Sequence, residues 1–295
     1  MYSSIIILLS VTSFVFSIKF ENDWDTIVSD RIHDAAGGER QDYYLSPFLP
    51  QLESAIEVFK NGEPFEQIVT LGANCLAKFR ALEYKKSNGR IETWSHLFDW
   101  MVVMNYTALG KAVENDFNDV FGLQYLKVAS ASWDSSIPVL YNEKYQFQFN
   151  HAFDGLNEIS YSQLSNKLTT ASFHKYFHLI EKKFEYLSEK SRKAINTTKK
   201  TLYLSYSVGP SDINGNRHED FVSMLRSIKS KRNNNFLYLV LVTEEMARMN
   251  IYDFDELIEG NLVFHLVRDF HLNLWSGPEC SAQWNDILDV VLNLK

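Results

Sequence analysis

Three apolar runs near the end of the chain restrict its fold more than any other feature. Thr201 to Tyr206, Phe236 to Val242 and Leu262 to Val267 are dominated by Val, Leu, Phe and Tyr, without the alternation of a half-exposed strand. A strand that faces water on one side alternates apolar and polar residues; a strand that does not alternate needs cover on both faces. Helical patterns separate and follow these runs, at Arg217 to Arg232, Glu244 to Asn250 and Cys280 to Leu292. Strands of this kind alternating with helices predict an α/β fold, a mostly parallel Rossmann-like sheet with helices on both faces. A fourth short strand, Gln67 to Leu71, opens the core. Gly72-Ala73-Asn74 makes its turn, and a helix over Cys75 to Tyr84 offers Leu76, Ala77, Phe79 and Leu82 for packing.

The middle of the chain reads differently. A helix is expected over Phe98 to Glu114. Tyr145-Gln146-Phe147-Gln148-Phe149 then alternates strictly, and Val139-Leu140-Tyr141 supplies a partner strand across the turn Asn142-Glu143-Lys144. These segments predict a β-hairpin insertion. A long helix follows over Tyr161 to Ala194. Residues 65–295 therefore form one α/β domain, preceded by a peripheral segment, 18–64, with a short helix around Gln51 to Lys60.

Residues 1–17 have the pattern of a cleaved signal peptide. Ile5 to Phe16 is apolar apart from Ser10, Thr12 and Ser13, it ends at Val15-Phe16-Ser17, and charged residues follow at once. The run is shorter than the roughly 20 residues of a membrane-spanning helix. No later segment is apolar for long enough, so no integral membrane segment is expected after signal cleavage. The expected location is secreted or within the secretory-pathway lumen. The sequons Asn105-Tyr106-Thr107 and Asn196-Thr197-Thr198 agree with that route as glycosylation sites, the first falling inside the expected helix.

A formal charge of −8 argues against nucleic acid as a partner, and the basic clusters Lys182-Lys183, Lys190 to Lys200 and Lys229 to Arg232 read as solvated helix ends. Cys75 and Cys280 are the two cysteines, too few for a disulfide scaffold, although an oxidising lumen permits them to pair. The chain lacks Gly-x-Gly-x-x-Gly, a P-loop and Gly-x-Ser-x-Gly, and His174 and His178 have no Glu between them to make a zinc motif. No metal and no cofactor is expected.

The residues with the best claim to chemistry surround Cys75. Ligands of parallel sheets bind outside the carboxyl ends of strands, where Gly72, Asn74 and Cys75 fall. Gly72 permits a sharp turn and Asn74 suits a helix N-cap. Cys75 then lies in the first turn, where free N–H groups and the helix dipole favour a thiolate. Read as structure, the same cysteine is a small buried residue at a tight junction. A cysteine nucleophile needs a base. His151 follows the alternating strand, and His271 follows a strand end. His96 precedes Phe98-Asp99-Trp100, and His265 lies in an apolar strand as a core residue would. His174, His178 and His218 fall on helices, and His33 in the peripheral segment.

The run Ile68-Val69-Thr70-Leu71-Gly72-Ala73-Asn74-Cys75, with Leu97-Phe98-Asp99-Trp100 beyond it, resembles a papain-like cysteine peptidase family built on a domain of unknown function. That family has a strand, a Leu-Gly-x-x-Cys turn, a Pro-Phe-Asp-Trp segment and a His after an alternating strand. A long helix, another strand and a Trp-containing helix follow. The resemblance covers roughly residues 66–291. It implies Cys75 as nucleophile, His151 as base, and Asp99 and Trp100 in the same site, with Gly72 and Asn74 beside them against substrate. The chain departs from the pattern at Leu97, where Pro is usual, and at Ala152, where Asp follows the His; Asp154 is the nearest replacement. It departs again at His178-Leu179, where two arginines stand, and at Tyr206, where an Arg ends the strand.

Three uses follow. The first is a secreted papain-like cysteine hydrolase or peptidase, intact or degenerate, acting on a peptide or small-molecule substrate. The second is a transferase-like α/β domain that binds a sugar or nucleotide at the strand ends near Gly72 and Pro210. The third is a catalytically silent secreted binding protein. Papain-like enzymes place Cys on a helix and His on an antiparallel sheet. The Cys-before-His order matches that, but the C-terminal alternation favours a doubly wound parallel sheet.

Overall fold

The computed structural model describes residues 49–60, 63–72, 77–78, 80–82, 84, 96–103, 105–130, 138–149, 152, 170–207, 218–243, 257–267 and 278–292. Its centre is a four-stranded parallel sheet of β1 (Gln67–Thr70), β6 (Thr201–Ser207), β7 (Phe236–Thr243) and β8 (Leu262–Val267), in that spatial order. Registers run Gln67 to Thr201, Thr201 to Phe236 and Tyr238 to Leu262, all parallel. The expected α/β fold is therefore present, down to the two-sided burial that the apolar runs demand.

Strand β7 makes the point residue by residue. Phe236, Tyr238, Val240 and Val242 turn to one face, and Leu237, Leu239 and Leu241 to the other, all fully buried. Three helices cover the first face: α2 (Tyr106–Glu114), α3 (Thr170–Ile195) and α4 (His218–Lys231). The second is covered by α1 (Leu49–Lys60), α5 (Pro278–Leu292) and the helical residues of 77–84. Each fully buried Leu or Phe in these layers stabilises the fold by about 2 kcal/mol relative to exposure. Helix α1, expected in the peripheral segment, contributes Leu52, Ala55 and Ile56 to this second layer. Among the described residues no helix is long and apolar enough to cross a membrane.

A separate antiparallel sheet carries β2 (Val102–Val103), β5 (Phe147–Phe149), β4 (Pro138–Asn142) and β3 (Leu126–Ser130), in that order. The expected hairpin is its β4–β5 pair, with Leu140 opposite Phe149 and Asn142 opposite Phe147. Strands β2 and β3 were not legible in the sequence. The expected helix over Phe98 to Glu114 is in fact three elements: a 3₁₀ turn over Leu97–Trp100, strand β2 and helix α2. Asn105 divides them. Its backbone is extended, and its side-chain oxygen accepts the N–H of Ala108 at 3.0 Å, so it is an N-cap and not an interior residue.

The basic clusters are solvated helix ends only in part: Lys182 and Lys193 are exposed, others are not. Lys183 and Lys200 are buried. Lys200 lies 5.4 Å from the Phe59 ring centre and 3.8 Å from the Glu63 carboxylate. Arg232 donates to Thr201 Oγ1, Tyr203 Oη and the carbonyls of Lys199 and Asn235, closing the amino edge of the sheet. Their long aliphatic stems fill apolar space while the charged ends find acceptors.

Beyond α2 the chain enters left-handed backbone at Asp116, Phe117 and Asp119. Asn142 holds this turn. Its amide donates to the carbonyls of Asp119 at 3.1 Å and Val120 at 2.8 Å, and its oxygen accepts the N–H of Tyr145 at 2.8 Å. Replacing Asn142 by Ala removes all three bonds, the Asp119 carbonyl keeping the Gly122 N–H at 3.2 Å, so unfolding stability should fall by about 2–4 kcal/mol in urea denaturation. An unchanged midpoint would mean that the turn does not depend on this side chain.

Candidate functional site

Strand β1 ends where the two sheets meet. The N–H of Leu71 still donates to the Leu204 carbonyl at 2.9 Å, and Gly72 then turns away with φ of +80°. A Cβ added there would lie 2.5 Å from Val103 Cγ2 of β2, closer than any real contact. Glycine is therefore required twice at position 72, by its left-handed backbone and by the close approach of the second sheet. Buried beneath Val103, Gly72 acts through its backbone conformation.

Asp99, in the 3₁₀ turn, is the polar centre of this region. Its side chain is 3% exposed and 3.5 Å from the ammonium of Lys78, itself 5% exposed. Thr70, the last residue of β1, donates its hydroxyl to Asp99 Oδ1. The N–H of His96 donates to Asp99 Oδ2 at 2.7 Å, closing the turn on itself. Beside it, the N–H of Leu97 donates to Ser191 Oγ at 3.0 Å, and that hydroxyl donates onward to the Leu187 carbonyl within α3. One carboxylate thus joins a strand end, a helix and a turn, and the neighbouring amide ties the turn to α3. Phe98 fills the space beneath, its ring 5.4 Å from that of Phe117.

The electrostatics of Asp99 are a contest. Burial pushes its carboxyl above the ordinary carboxylate range, and the Lys78 charge, the Thr70 hydroxyl and the His96 amide pull it back down. Both oxygens are engaged and the group is shielded from water, so Asp99 is a positioning residue for the end of β1. Lys78 was missed in the sequence because a lysine on a short helix reads as surface; its place three residues after Cys75 is the signal that could have singled it out.

Of the other expected site residues, Asn74, Cys75, His151 and Asp154 lie outside the described residues. Trp100 belongs to the 3₁₀ turn by its backbone. The proposed pairing of Cys75 with Cys280, the loop at Pro210, His33 and His271 likewise fall outside. Leu97, Ala152 and Tyr206, the departures from the family pattern, are buried in apolar surroundings, Tyr206 with its ring 5.6 Å from that of Trp284. His178 is exposed on α3. His265 is fully buried within β8, and His218 begins α4 with its ring 5.1 Å from Phe264. No group of three or more metal-ligating side chains converges among the described residues. Asn105 is half-buried at the start of α2, and Asn196 is exposed just beyond the end of α3.

Comparison with protein-family models, with curated proteins and with solved structures gave no match.

Two substitutions test the geometry. Gly72→Ala should lower stability by at least about 2 kcal/mol, with partial recovery in Gly72→Ala/Val103→Ala, because the second change removes the clash and leaves the backbone cost. Equal stability of the single variant and the native chain would contradict this close approach. Asp99→Asn removes the described counter-charge of Lys78 and should cost about 3 kcal/mol. The double variant Lys78→Met/Asp99→Asn should lose less than the sum of the two single changes, as a double-mutant cycle in guanidinium reads directly. Strict additivity would mean that the two groups do not act as a pair.

Proposed function

We propose that this chain is a secretory-pathway cysteine hydrolase of papain-like type, with Cys75 as nucleophile and His151 as base. The observation that supports it is the bonding of Asp99 to Thr70 and Lys78. These two residues flank Cys75 in sequence by five positions and three. The strand-turn motif and the Phe-Asp-Trp motif thus meet through one buried carboxylate, which agrees with the shared site that the resemblance implies. A nucleophile needs a support that does not shift as charge develops, and a buried, fully bonded frame is such a support.

In the proposed reaction the Cys75 sulfur attacks a substrate carbonyl carbon while its proton passes to His151. The carbonyl π electrons move to oxygen, where backbone N–H groups at the start of the helix stabilise the negative charge. Collapse of that intermediate expels the leaving group, which takes the proton from His151. Water, deprotonated by His151, then releases the acyl group and restores the thiol. Asp154 orients the imidazole in place of the Asp that the family carries beside its His. The substrate is a peptide or a small acyl compound.

A second reading, a catalytically silent secreted binding protein, is favoured by the apolar packing of three departures. Leu97, Ala152 and Tyr206 serve the core, where the family pattern has Pro, Asp and Arg. A thiol-directed activity probe separates the two. The hydrolase reading expects labelling of the reduced, folded chain, none in Cys75→Ala, and a rate at least about 100-fold lower in His151→Ala. Absence of labelling in the reduced native protein would overturn it and leave the silent reading standing.

A further inference from the structure

The two sequons sit in opposite structural circumstances, and this distinguishes them as modification sites. At the first, the Asn105 side-chain oxygen is committed to the N–H of Ala108, and the Thr107 hydroxyl donates to Asp220 of α4 at 2.6 Å. The asparagine thus caps the start of α2 and the threonine ties that turn to α4, so both sequon side chains are engaged in the folded chain. Asn105 is also half-buried. At the second, Asn196 and Thr198 are exposed, and neither side chain makes a hydrogen bond among the described residues. The backbone there is nevertheless ordered by its own contacts. The N–H of Asn196 donates to the Arg192 carbonyl at 2.9 Å, and the N–H of Lys199 to Thr197 Oγ1 at 3.2 Å. Asn235 adds a bond to the Thr198 carbonyl at 3.2 Å.

We infer that Asn196 is the glycan-bearing residue of this chain and that Asn105 is not modified. The donor is an oligosaccharide carried on a polyprenyl diphosphate. The Asn196 amide nitrogen forms a bond to the anomeric carbon, the bond from that carbon to diphosphate oxygen breaks, and the diphosphate leaves with the electron pair. The amide proton passes to the transferase. The Thr198 hydroxyl is the second recognised group, as the sequon pattern requires. Position supports the assignment as well. Asn196 precedes β6, whose first residue, Thr201, is paired with Gln67 at the start of β1. A glycan there stands at the amino edge of the parallel sheet, away from the carboxyl edge where β1 meets Asp99. It can remain on the folded protein without covering that region.

The test expresses the full chain in a eukaryotic cell, once with its own leader and once behind an unrelated cleavable leader. Peptide N-glycosidase digestion and glycopeptide mass spectrometry are applied to the native chain, Asn196→Gln, Asn105→Gln and Thr198→Ser. One glycosidase-sensitive mobility step is expected, lost in Asn196→Gln and kept in Asn105→Gln and Thr198→Ser. An unmodified Asn196 behind the unrelated leader, or a glycan on Asn105, would overturn the assignment. Modification behind that leader but not behind the chain's own would uphold Asn196 as the acceptor and refute the secretory location on which the proposed function rests.

Discussion

Strands β6 and β7 have no face turned to water, and most of the architecture is a response to that constraint. Every described side chain of β7 is fully buried, four on one side of the sheet and three on the other. Covering both faces requires helices on both, which a parallel sheet supplies because each strand must return over one face before pairing again. The long excursion between β1 and β6 carries the antiparallel sheet and α3. The chain on either side of the parallel strands provides α1 and α5. With the faces closed, the strand ends are what remain for polar chemistry.

At the carboxyl end of β1 that polar chemistry is condensed into one carboxylate. Asp99 accepts from Thr70 and from the His96 amide and sits 3.5 Å from Lys78, while the adjoining Leu97 amide reaches Ser191. A buried ion pair contributes little net stability, since desolvation offsets attraction. Its contribution here is specificity of arrangement: it joins three elements that apolar contacts alone would allow to slide. Gly72 fixes the same junction from the other side by admitting Val103 where any larger residue would collide.

How much of this was legible in the sequence depended on how directly burial marks the residues. The runs at Thr201, Phe236 and Leu262 announced strands because two-sided burial removes polar residues altogether. The β4–β5 hairpin was legible from strict alternation. Strand β3 was not, since Leu126–Ser130 is mostly half-exposed and its apolar and polar residues do not sort into faces. Phe98 to Glu114 was expected as one helix, and what interrupts it is extended backbone at Met101, through β2 and at Asn105, a conformational choice that spacing cannot convey. The motif residues Gly72 and Asp99 stood out in the sequence, but the burial that makes Asp99 a tie between elements belongs to the tertiary structure. Lys78 was hidden for the same reason.

Amide hydrogen exchange in Asp99→Asn, compared with the native chain, tests the central claim that this carboxylate holds the junction. The account predicts that the amides of His96, Leu97 and Leu71 lose protection together, while that of Val240 in the doubly covered sheet keeps its native rate. Unchanged protection at His96 and Leu71 would contradict it, because the turn and the strand end would then be held by something other than Asp99.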